Sequence, residues 1–182
     1  MKILVASDIH GSAHYLKQLI ARINDEKPDR ILLLGDLLYH GPRNDLPEGY
    51  APKECISLLN SHPFTGKVFC VRGNCDAEVD QMVLDFPIMA DYCILYAGGR
   101  LIYATHGHIY GEENPPKLSD SDILLNGHTH IPACRQHDSF MYINPGSVSI
   151  PKNGSWHGYM LITDTEIIWK DLTGNIQDKM CL

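Results

Sequence analysis

The sequence is short of positive charge. Its 15 lysine and arginine residues are outnumbered by 22 aspartate and glutamate residues, which gives a formal net charge of −7. Proteins that bind long nucleic acids usually present a basic face to the phosphate backbone. The acidic balance therefore argues against a long nucleic acid as partner. A small phosphorylated molecule stays compatible with it, because metal ions could supply positive charge locally.

The sequence also lacks closely spaced cysteines and long apolar segments. None of its six cysteines forms a Cys-x-x-Cys pair, which disfavours a zinc ribbon or a disulfide scaffold and favours reduced thiols. The apolar run after Met1 ends before Asp8, short of the roughly 7–15 residues of a signal-peptide core. No stretch approaches the ~20 apolar residues of a membrane span. We therefore predict a soluble, cytoplasmic protein that does not associate with membranes.

The length and the order of the predicted elements indicate the fold class. With 182 residues, 44% of them hydrophobic, residues 1–182 are predicted to form a single domain. The first half alternates strands with helices, and the second half is rich in short strands. This pattern predicts an α/β fold in which two sheets pack face to face with helices outside.

Short apolar runs that end in polar turns mark the strands of the first half. They are Ile3–Ala6, Arg30–Leu34 and Lys67–Val71. Apolar residues at helical spacing after Ser12 predict an amphipathic helix that stops before Pro28. A second helix is predicted over roughly Pro52–Ser61, with proline in its first turn. The later strands are predicted at Tyr92–Tyr96, Leu101–Ala104, Ile123–Asn126, Phe140–Ile143, Gly158–Ile162 and Glu166–Trp169.

Seven side chains of the types that bind metals follow five of the predicted strands. They are Asp8, His10, Asp36, Asn74, His106, His128 and His130. Because open α/β sheets bind ligands at the carboxyl ends of their strands, we expect these side chains at one edge of the fold. Imidazole and carboxylate together favour manganese, iron or zinc over calcium and magnesium. A carboxylate can bridge two such ions, and ions roughly 3.5–4 Å apart suit the hydrolysis of a phosphoester.

Each of these residues has a simpler explanation when it is taken alone. Asp8 or Asp36 could cap a helix, which is the commoner role of aspartate after a strand. A pair such as His106 and His108 arises by chance in many sequences, and Cys75 fits a small buried side chain. The joint placement favours a metal site, because five of the ten histidines lie in three short glycine-containing motifs that each follow an apolar strand.

These motifs together resemble those of the calcineurin-like metallophosphoesterases. The motifs are Asp8-Ile9-His10, Gly35-Asp36, Gly73-Asn74-Cys75-Asp76, His106-Gly107-His108 and Gly127-His128-Thr129-His130, and their order matches the family from Met1 to about Ser149. The loop His40–Tyr50 and the segment Asn144–Ser149 resemble the small YfcE-type phosphodiesterases of that family more closely. The resemblance implies a four-layer α/β/β/α sandwich of two mixed β-sheets flanked by helices.

The resemblance further implies a metal-dependent phosphodiesterase with two divalent ions. Asp8, His10 and His130 would hold one ion, Asn74, His106 and His128 the other, and Asp36 would bridge them. Mn²⁺ is the expected ion, with Zn²⁺, Fe²⁺ or Ni²⁺ as alternatives. A hydroxide bound to both metals would attack phosphorus, and Asp36, Asn74 and His106 are the catalytic candidates. Members of the family often self-associate, which makes a homo-oligomer compatible with this assignment.

Cys75 departs from the pattern of the family. Many relatives carry histidine at this position, next to asparagine, and that histidine is thought to assist the leaving oxygen. A thiol with an ordinary pKa near 8.5 is a poor replacement, so we expect diesters with stable leaving groups to be hydrolysed better than monoesters. Asp76 would then cap a helix or brace another ligand.

Four residues are candidates for contact with the substrate. They are Arg43, Asn44, Cys75 and His108. The planar guanidinium of Arg43 suits a phosphate oxygen, although Arg43 and Asn44 could equally be surface residues of a long loop. His108 has no ligand role in the resemblance, and either supports a ligand or faces the substrate.

Two other functions are compatible with the same residues. One is a metal-binding scaffold or protein-interaction subunit that has the fold without catalysis, and the complete set of seven ligands argues against it. The other is a nucleotide-specific phosphodiesterase, which shares the chemistry. The sequence leaves the natural substrate open.

Overall fold

The computed structural model describes all residues from Met1 to Leu182, and it contains eleven strands and three helices. The first half comprises β1 (Ile3–Ala6), α1 (Ala13–Glu26), β2 (Arg30–Leu33), α2 (Pro52–Leu59), β3 (Val68–Cys70) and α3 (Glu78–Gln81). The second half comprises β4 (Cys93–Ala97), β5 (Arg100–Ala104), β6 (Ile123–Leu125), β7 (Ala133–Gln136), β8 (Met141–Asn144), β9 (Gly158–Ile162), β10 (Glu166–Asp171) and β11 (Ile176–Cys181). The predicted change from alternating elements to successive strands is confirmed.

The strands form two mixed sheets, as expected. The six-stranded sheet has the order β11-β10-β9-β1-β2-β3, and β1, β2 and β3 in it are parallel. The five-stranded sheet has the order β4-β5-β6-β8-β7, and β5, β6 and β8 in it are parallel. Parallel neighbours bring their carboxyl ends to the same edge, so the turns after β1, β2 and β3 lie side by side, as do those after β5 and β6.

Apolar side chains fill the space on both faces of the six-stranded sheet. One cluster packs α1 and α2 against the outer face of this sheet, and a second cluster lies between the two sheets and contains Val5, Leu32, Ile123 and Trp169. The strands β1, β2 and β9 contribute to both clusters, which explains their continuous apolar sequences.

The first helix forms where the sequence predicts it. The Ser12 side chain accepts a hydrogen bond from the backbone N–H of Tyr15 at 3.2 Å, which satisfies one of the free donors of the first turn. The apolar stripe buries Leu16, Leu19 and Ile23 against the sheet. The helix ends where Lys27 adopts a left-handed conformation (φ 50°) ahead of Pro28.

The outer face of the five-stranded sheet is covered differently. The segment 107–122 covers it without forming a helix, and Leu118 from this segment packs against a small buried cluster that includes Leu124 and Tyr142 of the sheet. Pro115 and its neighbour Pro116 disfavour a helix here, because proline lacks an amide proton and restricts the preceding residue. Helices therefore flank only the six-stranded sheet, and an irregular layer flanks the other.

Three elements were not predicted from the sequence. The strands β7 and β11 lie at sheet edges and are largely exposed, so they lack the apolar pattern that marks a buried strand. The helix α3 has only four residues, too few for an apolar stripe. None of the helices has the length and apolar character that crossing a membrane requires.

Candidate metal centre

The seven predicted ligands converge at the carboxyl ends of five strands. Asp8 and His10 follow β1, Asp36 follows β2, and the remaining four are Asn74 after β3, His106 after β5, and His128 with His130 after β6. Backbone hydrogen bonds join the first two turns, since His10 N–H donates to Asp36 O at 2.9 Å. The two sheets therefore bring together side chains that lie more than 100 residues apart in the chain.

Unusual backbone conformations concentrate at this site. Seven residues other than glycine have a positive φ, and five of them are predicted ligands: Asp8, His10, Asp36, His128 and His130. A left-handed conformation is costly for a side chain with a Cβ atom and persists only where the surrounding structure enforces it. Its clustering at one site is typical of a functional centre rather than of ordinary turns.

Two histidines at the site direct their Nε2 nitrogens at each other. His10 Nδ1 lies 2.8 Å from Tyr39 O, and His130 Nδ1 lies 2.7 Å from Ile150 O. A carbonyl oxygen only accepts hydrogen bonds, so each Nδ1 carries the proton and leaves Nε2 bare in the neutral ring. The two Nε2 atoms are nevertheless only 3.2 Å apart. A cation between them resolves this contact between two acceptors.

A buried carboxylate completes the same group. Asp8 is fully buried, and its Oδ1 accepts no hydrogen bond although His130 Nε2 lies 3.2 Å and His10 Nε2 3.6 Å away. An unsatisfied buried carboxylate oxygen is costly unless a cation compensates it. Two atoms that bind one ion at ~2.1 Å are about 3.0–3.4 Å apart. The 3.2 Å distance from Asp8 Oδ1 to His130 Nε2 fits a shared ion, and the 3.6 Å distance to His10 Nε2 is slightly longer.

Asp36 lies between this group and the other ligands. Its Oδ2 is 3.7 Å from His10 Nε2 and 3.4 Å from His106 Nε2, while its Oδ1 accepts a hydrogen bond from Cys75 N–H at 2.8 Å. A single carboxylate oxygen therefore has a histidine nitrogen on either side. That position suits a carboxylate that contacts two ions.

The remaining ligands form a second group around His106. His106 Nδ1 lies 2.6 Å from Leu34 O, which places a proton on Nδ1 and directs Nε2 at the other ligands. This Nε2 is 3.0 Å from Asn74 Oδ1 and 3.2 Å from His128 Nδ1. His106 is fully buried, whereas His128 is half-buried and Asn74 is exposed. The second group therefore opens to solvent on one side.

Carboxylates and imidazole rings at the centre stabilise each other's charged forms. Burial by itself raises the pKa of Asp8, but His10 and His130 lower this pKa well below its usual range. Burial by itself lowers the pKa of His106, but Asp36 and Asp8 raise it to about 9. The carboxylates are therefore ionised and hold positive charge near them, which is the electrostatic requirement of a cation site.

Asp76 braces two of the loops that carry ligands. It is buried, and its carboxylate accepts hydrogen bonds from the backbone N–H groups of Asp36 (2.8 Å), Leu37 (2.9 Å) and Gly73 (2.7 Å). Of the two roles that the sequence left open, the structure confirms the bracing of another ligand. Burial raises the pKa of Asp76, while these hydrogen bonds lower it.

Two further supports had no assigned role in the sequence. The hydroxyls of Ser147 and Ser149 donate to Asp8 O at 2.9 and 3.0 Å, which fixes the strained turn that carries Asp8. Gly73 lies so close to Asp36 that a Cβ atom would stand 2.1 Å from its Oδ1, and a Cβ atom on Gly127 would stand 2.9 Å from Asp8 Oδ2. These glycines allow the backbone to approach the carboxylates.

A cleft of about 470 Å³ lies over the centre. Its lining includes Asp36, Asn74, Cys75, His128 and His130, together with Arg43, Asn44, Thr129 and Lys152. The loop that carries Arg43 therefore lies at the site, and Arg43 itself is exposed. Lys152 was not predicted, because an exposed lysine outside any motif carries no signal in one sequence. His108 is exposed and lines a neighbouring cavity instead.

Cys75 lies at the wall of this cleft beneath the loop. A Cβ atom on Gly41 would stand 3.2 Å from Cys75 Sγ, and Asn74 Nδ2 donates to this sulfur at 3.2 Å. Burial raises the pKa of the thiol to about 12, helped by the charge of Asp36. The thiol is therefore neutral at physiological pH.

The fold and the site define a metallophosphoesterase. A model of the calcineurin-like phosphoesterase superfamily domain matches residues 1–166, and the chain belongs to this family. Phosphodiesterase YfcE of Escherichia coli strain K12 is 44% identical over 168 residues, which cover 92% of this chain and 90% of that protein.

Solved structures agree with this assignment. The structure of YfcE, a phosphoesterase from E. coli, matches with a TM-score of 0.92 at 41% identity and covers 99% of this chain and 98% of that one. Wild-type Vps29 of Entamoeba histolytica, solved in complex with Zn²⁺, matches with a TM-score of 0.59 at 19% identity over 100% of this chain and 99% of its own. The latter similarity concerns the fold alone.

Proposed function

We propose that this protein is a metal-dependent phosphodiesterase that hydrolyses small phosphodiesters at a centre of two divalent ions. The observation that carries the proposal is the 3.2 Å contact between His10 Nε2 and His130 Nε2 beside the unsatisfied Asp8 Oδ1. A cation that all three atoms coordinate makes this arrangement favourable in a buried site. The similarity to phosphodiesterase YfcE supports the type of bond that is cleaved.

The ligands are assigned to two ions that share one carboxylate. Asp8, His10 and His130 would hold the first ion, Asn74, His106 and His128 would hold the second, and Asp36 would be shared between them. This mixture of nitrogen and oxygen ligands suits Mn²⁺, with Zn²⁺, Fe²⁺ or Ni²⁺ as alternatives. When bound, such ions lower the pKa of a coordinated water and neutralise charge on phosphoryl oxygens.

The chain itself orients the ligands and holds the substrate. Backbone carbonyls fix the rings of His10, His106 and His130 through their Nδ1–H groups, which sets the tautomer that each ligand needs. Arg43 and Lys152 line the cleft and form no ion pair with any carboxylate, so both can donate to the non-bridging oxygens of a phosphodiester.

The leaving group receives little help from the chain. Cys75 stands where a histidine would be expected to act, and its thiol is neutral with a pKa raised to about 12. A neutral, weakly acidic thiol contributes neither positive charge nor a ready proton to a departing oxygen. The enzyme therefore hydrolyses diesters with stable leaving groups faster than monoesters or esters of simple alcohols.

The location, the domain organisation and the self-association of the protein are part of the same proposal. A cytoplasmic location is supported by six unpaired cysteines, since free thiols persist in reducing compartments. A single domain is supported by the apolar cluster that both sheets share. Association of two or more copies is compatible with this function and is not required by it.

The proposal is tested by metal-dependent hydrolysis. Protein stripped with a chelator is assayed with bis(p-nitrophenyl) phosphate and with the monoester p-nitrophenyl phosphate, before and after Mn²⁺ is added. We expect diester hydrolysis only with metal. Because both compounds release the same nitrophenolate, the monoester shows whether the site prefers diesters apart from any effect of the leaving group. His128→Ala should lower the rate by about 100-fold or more, because it removes a ligand of the second ion and with it the charge that stabilises the transition state. His14→Ala, an exposed histidine on α1, serves as the matched control.

The alternatives give different results in this assay. A scaffold of the same fold would bind Mn²⁺ without hydrolysing the diester, and His128→Ala would then change binding alone. A nucleotide-specific enzyme would hydrolyse cyclic or dinucleotide diesters much faster than the nitrophenyl compound. Absence of metal-dependent hydrolysis in the unmodified protein would refute the enzymatic function.

A further inference from the structure

A second cavity adjoins the cleft over the metal centre. It has a volume of about 410 Å³, and Thr129 lines both spaces. The loop that carries His128 and Thr129 therefore forms the ridge between them. A phosphodiester has two ester arms on one phosphorus, so a phosphoryl group over the centre can extend one arm across this ridge.

The two spaces differ in charge. Arg43 and Lys152 line the cleft over the centre, whereas Glu112 and Glu113 line the second cavity. Glu112 is already neutralised by Arg135, whose Nε donates to its Oε1 at 2.6 Å. Glu113 is exposed and forms no ion pair, so it supplies an uncompensated negative charge at the cavity.

We propose that the second cavity binds one ester arm of the substrate, and that this arm carries an ammonium group. Glu113 supplies the opposite charge, and no lysine or arginine lines this cavity. An arm with a further phosphate or carboxylate is repelled by the same charge. The substrate class is thereby narrowed to small phosphodiesters of amino alcohols. This inference rests on the phosphodiesterase function proposed above.

The test compares three diesters that share one leaving group. They are p-nitrophenyl phosphates whose second ester is methyl, 2-aminoethyl or 2-carboxyethyl, assayed with Mn²⁺-loaded protein by release of nitrophenolate. We expect a KM about three-fold to five-fold lower for the aminoethyl than for the methyl ester, which is the effect of an exposed ion pair. The carboxyethyl ester should have the highest KM, and kcat should differ little because the leaving group is constant.

Substitutions of Glu113 test whether the preference for the aminoethyl ester arises in the second cavity. Glu113→Gln should bring the KM values of the aminoethyl and methyl esters together, and Glu113→Lys should make the carboxyethyl ester the better substrate. Glu78→Gln, an exposed carboxylate on α3, should keep the preference of the unmodified protein.

Each other outcome overturns the inference. Equal KM values for the three esters would refute it, as would a preference that survives in Glu113→Gln. If the unmodified protein hydrolyses no diester with metal, the phosphodiesterase function itself fails and this inference fails with it. If the methyl ester is hydrolysed but the aminoethyl ester is not preferred, the phosphodiesterase function stands. Only the proposed role of the second cavity is then refuted.

Discussion

The two halves of the candidate metal centre are built differently. The inner group, Asp8, His10 and His130, is at most 3% exposed, and all three residues have a left-handed backbone. The outer group comprises Asn74, His106 and His128. In it only His128 has a positive φ, and Asn74 is exposed.

This difference means that the inner group is suited to binding a metal ion, whereas the outer group is open to the substrate. The inner group is fixed by backbone strain, burial and hydrogen bonds to carbonyl oxygens before any ion arrives, so little freedom is lost on binding. The outer group borders the cleft, where a substrate must enter. We infer that the inner group is the tighter metal site and that the outer group exchanges its ion more readily.

The largest expected effect is a difference in stability between a variant of the inner group and a variant of the outer group. His130→Ala removes a buried ring and leaves Asp8 without its nearest partner, so we expect a loss of about 2–4 kcal/mol in the free energy of unfolding. His128→Ala truncates a half-buried ring and should cost under ~1 kcal/mol. Thermal melts with and without Mn²⁺ and metal analysis measure both effects, and His128→Ala should retain one ion per chain. Equal losses of stability and metal in the two variants would contradict the comparison.

Asp76→Asn should have an intermediate effect that falls mainly on the outer half. The carboxylate accepts three backbone hydrogen bonds from the loops of Asp36 and Asn74, and an amide can accept with only one of its two heavy atoms. We expect about ten-fold weaker binding of the second ion and about 1–3 kcal/mol of destabilisation. Asp138→Asn, an exposed carboxylate, is the control. Unchanged metal titration in Asp76→Asn would show that the brace is dispensable.

A further effect, which needs no substitution, is a dependence of metal binding on pH in the outer half. The pKa of His106 is raised to about 9 in the metal-free protein, so at pH 7 the ring must lose a proton before its Nε2 can bind an ion. Affinity at this half should therefore rise up to about ten-fold per pH unit from pH 7 to 9 and then level off. Burial, together with the charge of His106, lowers the pKa of His128 to about 4, so this ring adds no dependence in that range.

Calorimetry in buffers of different ionisation enthalpy measures this proton release. At pH 7 binding of the second ion should release close to one proton, and at pH 10 almost none. A release that does not change between these pH values would mean that His106 carries no proton to displace.

The sequence predicted those elements of the fold that are determined by a pattern among neighbouring residues. Buried strands and α1 were predicted because apolar spacing and a capping serine encode them in a few neighbouring residues. The edge strands β7 and β11 were missed because their pairing is fixed by neighbours in the sheet rather than by their own polar sequences.

For the same reason, only some residues of the site could be predicted from the sequence. Residues such as Asp36 and His128 were recognisable because they directly follow apolar strands. Lys152 and Glu113 were not, because each belongs to the site only through the position of a loop. For Asp76 the sequence offered two roles, and the contact with three backbone amides decided between them.

The sequence by itself determined which residues could bind metal and that they stand at the ends of strands, since both properties are local. Only the tertiary structure decided how the centre divides into a buried half and an open half. That division depends on how the two sheets meet, which sets the burial of Asp8, the exposure of Asn74 and the distance between His10 and His130. Contacts between residues 120 positions apart are fixed by packing, and no local pattern encodes them.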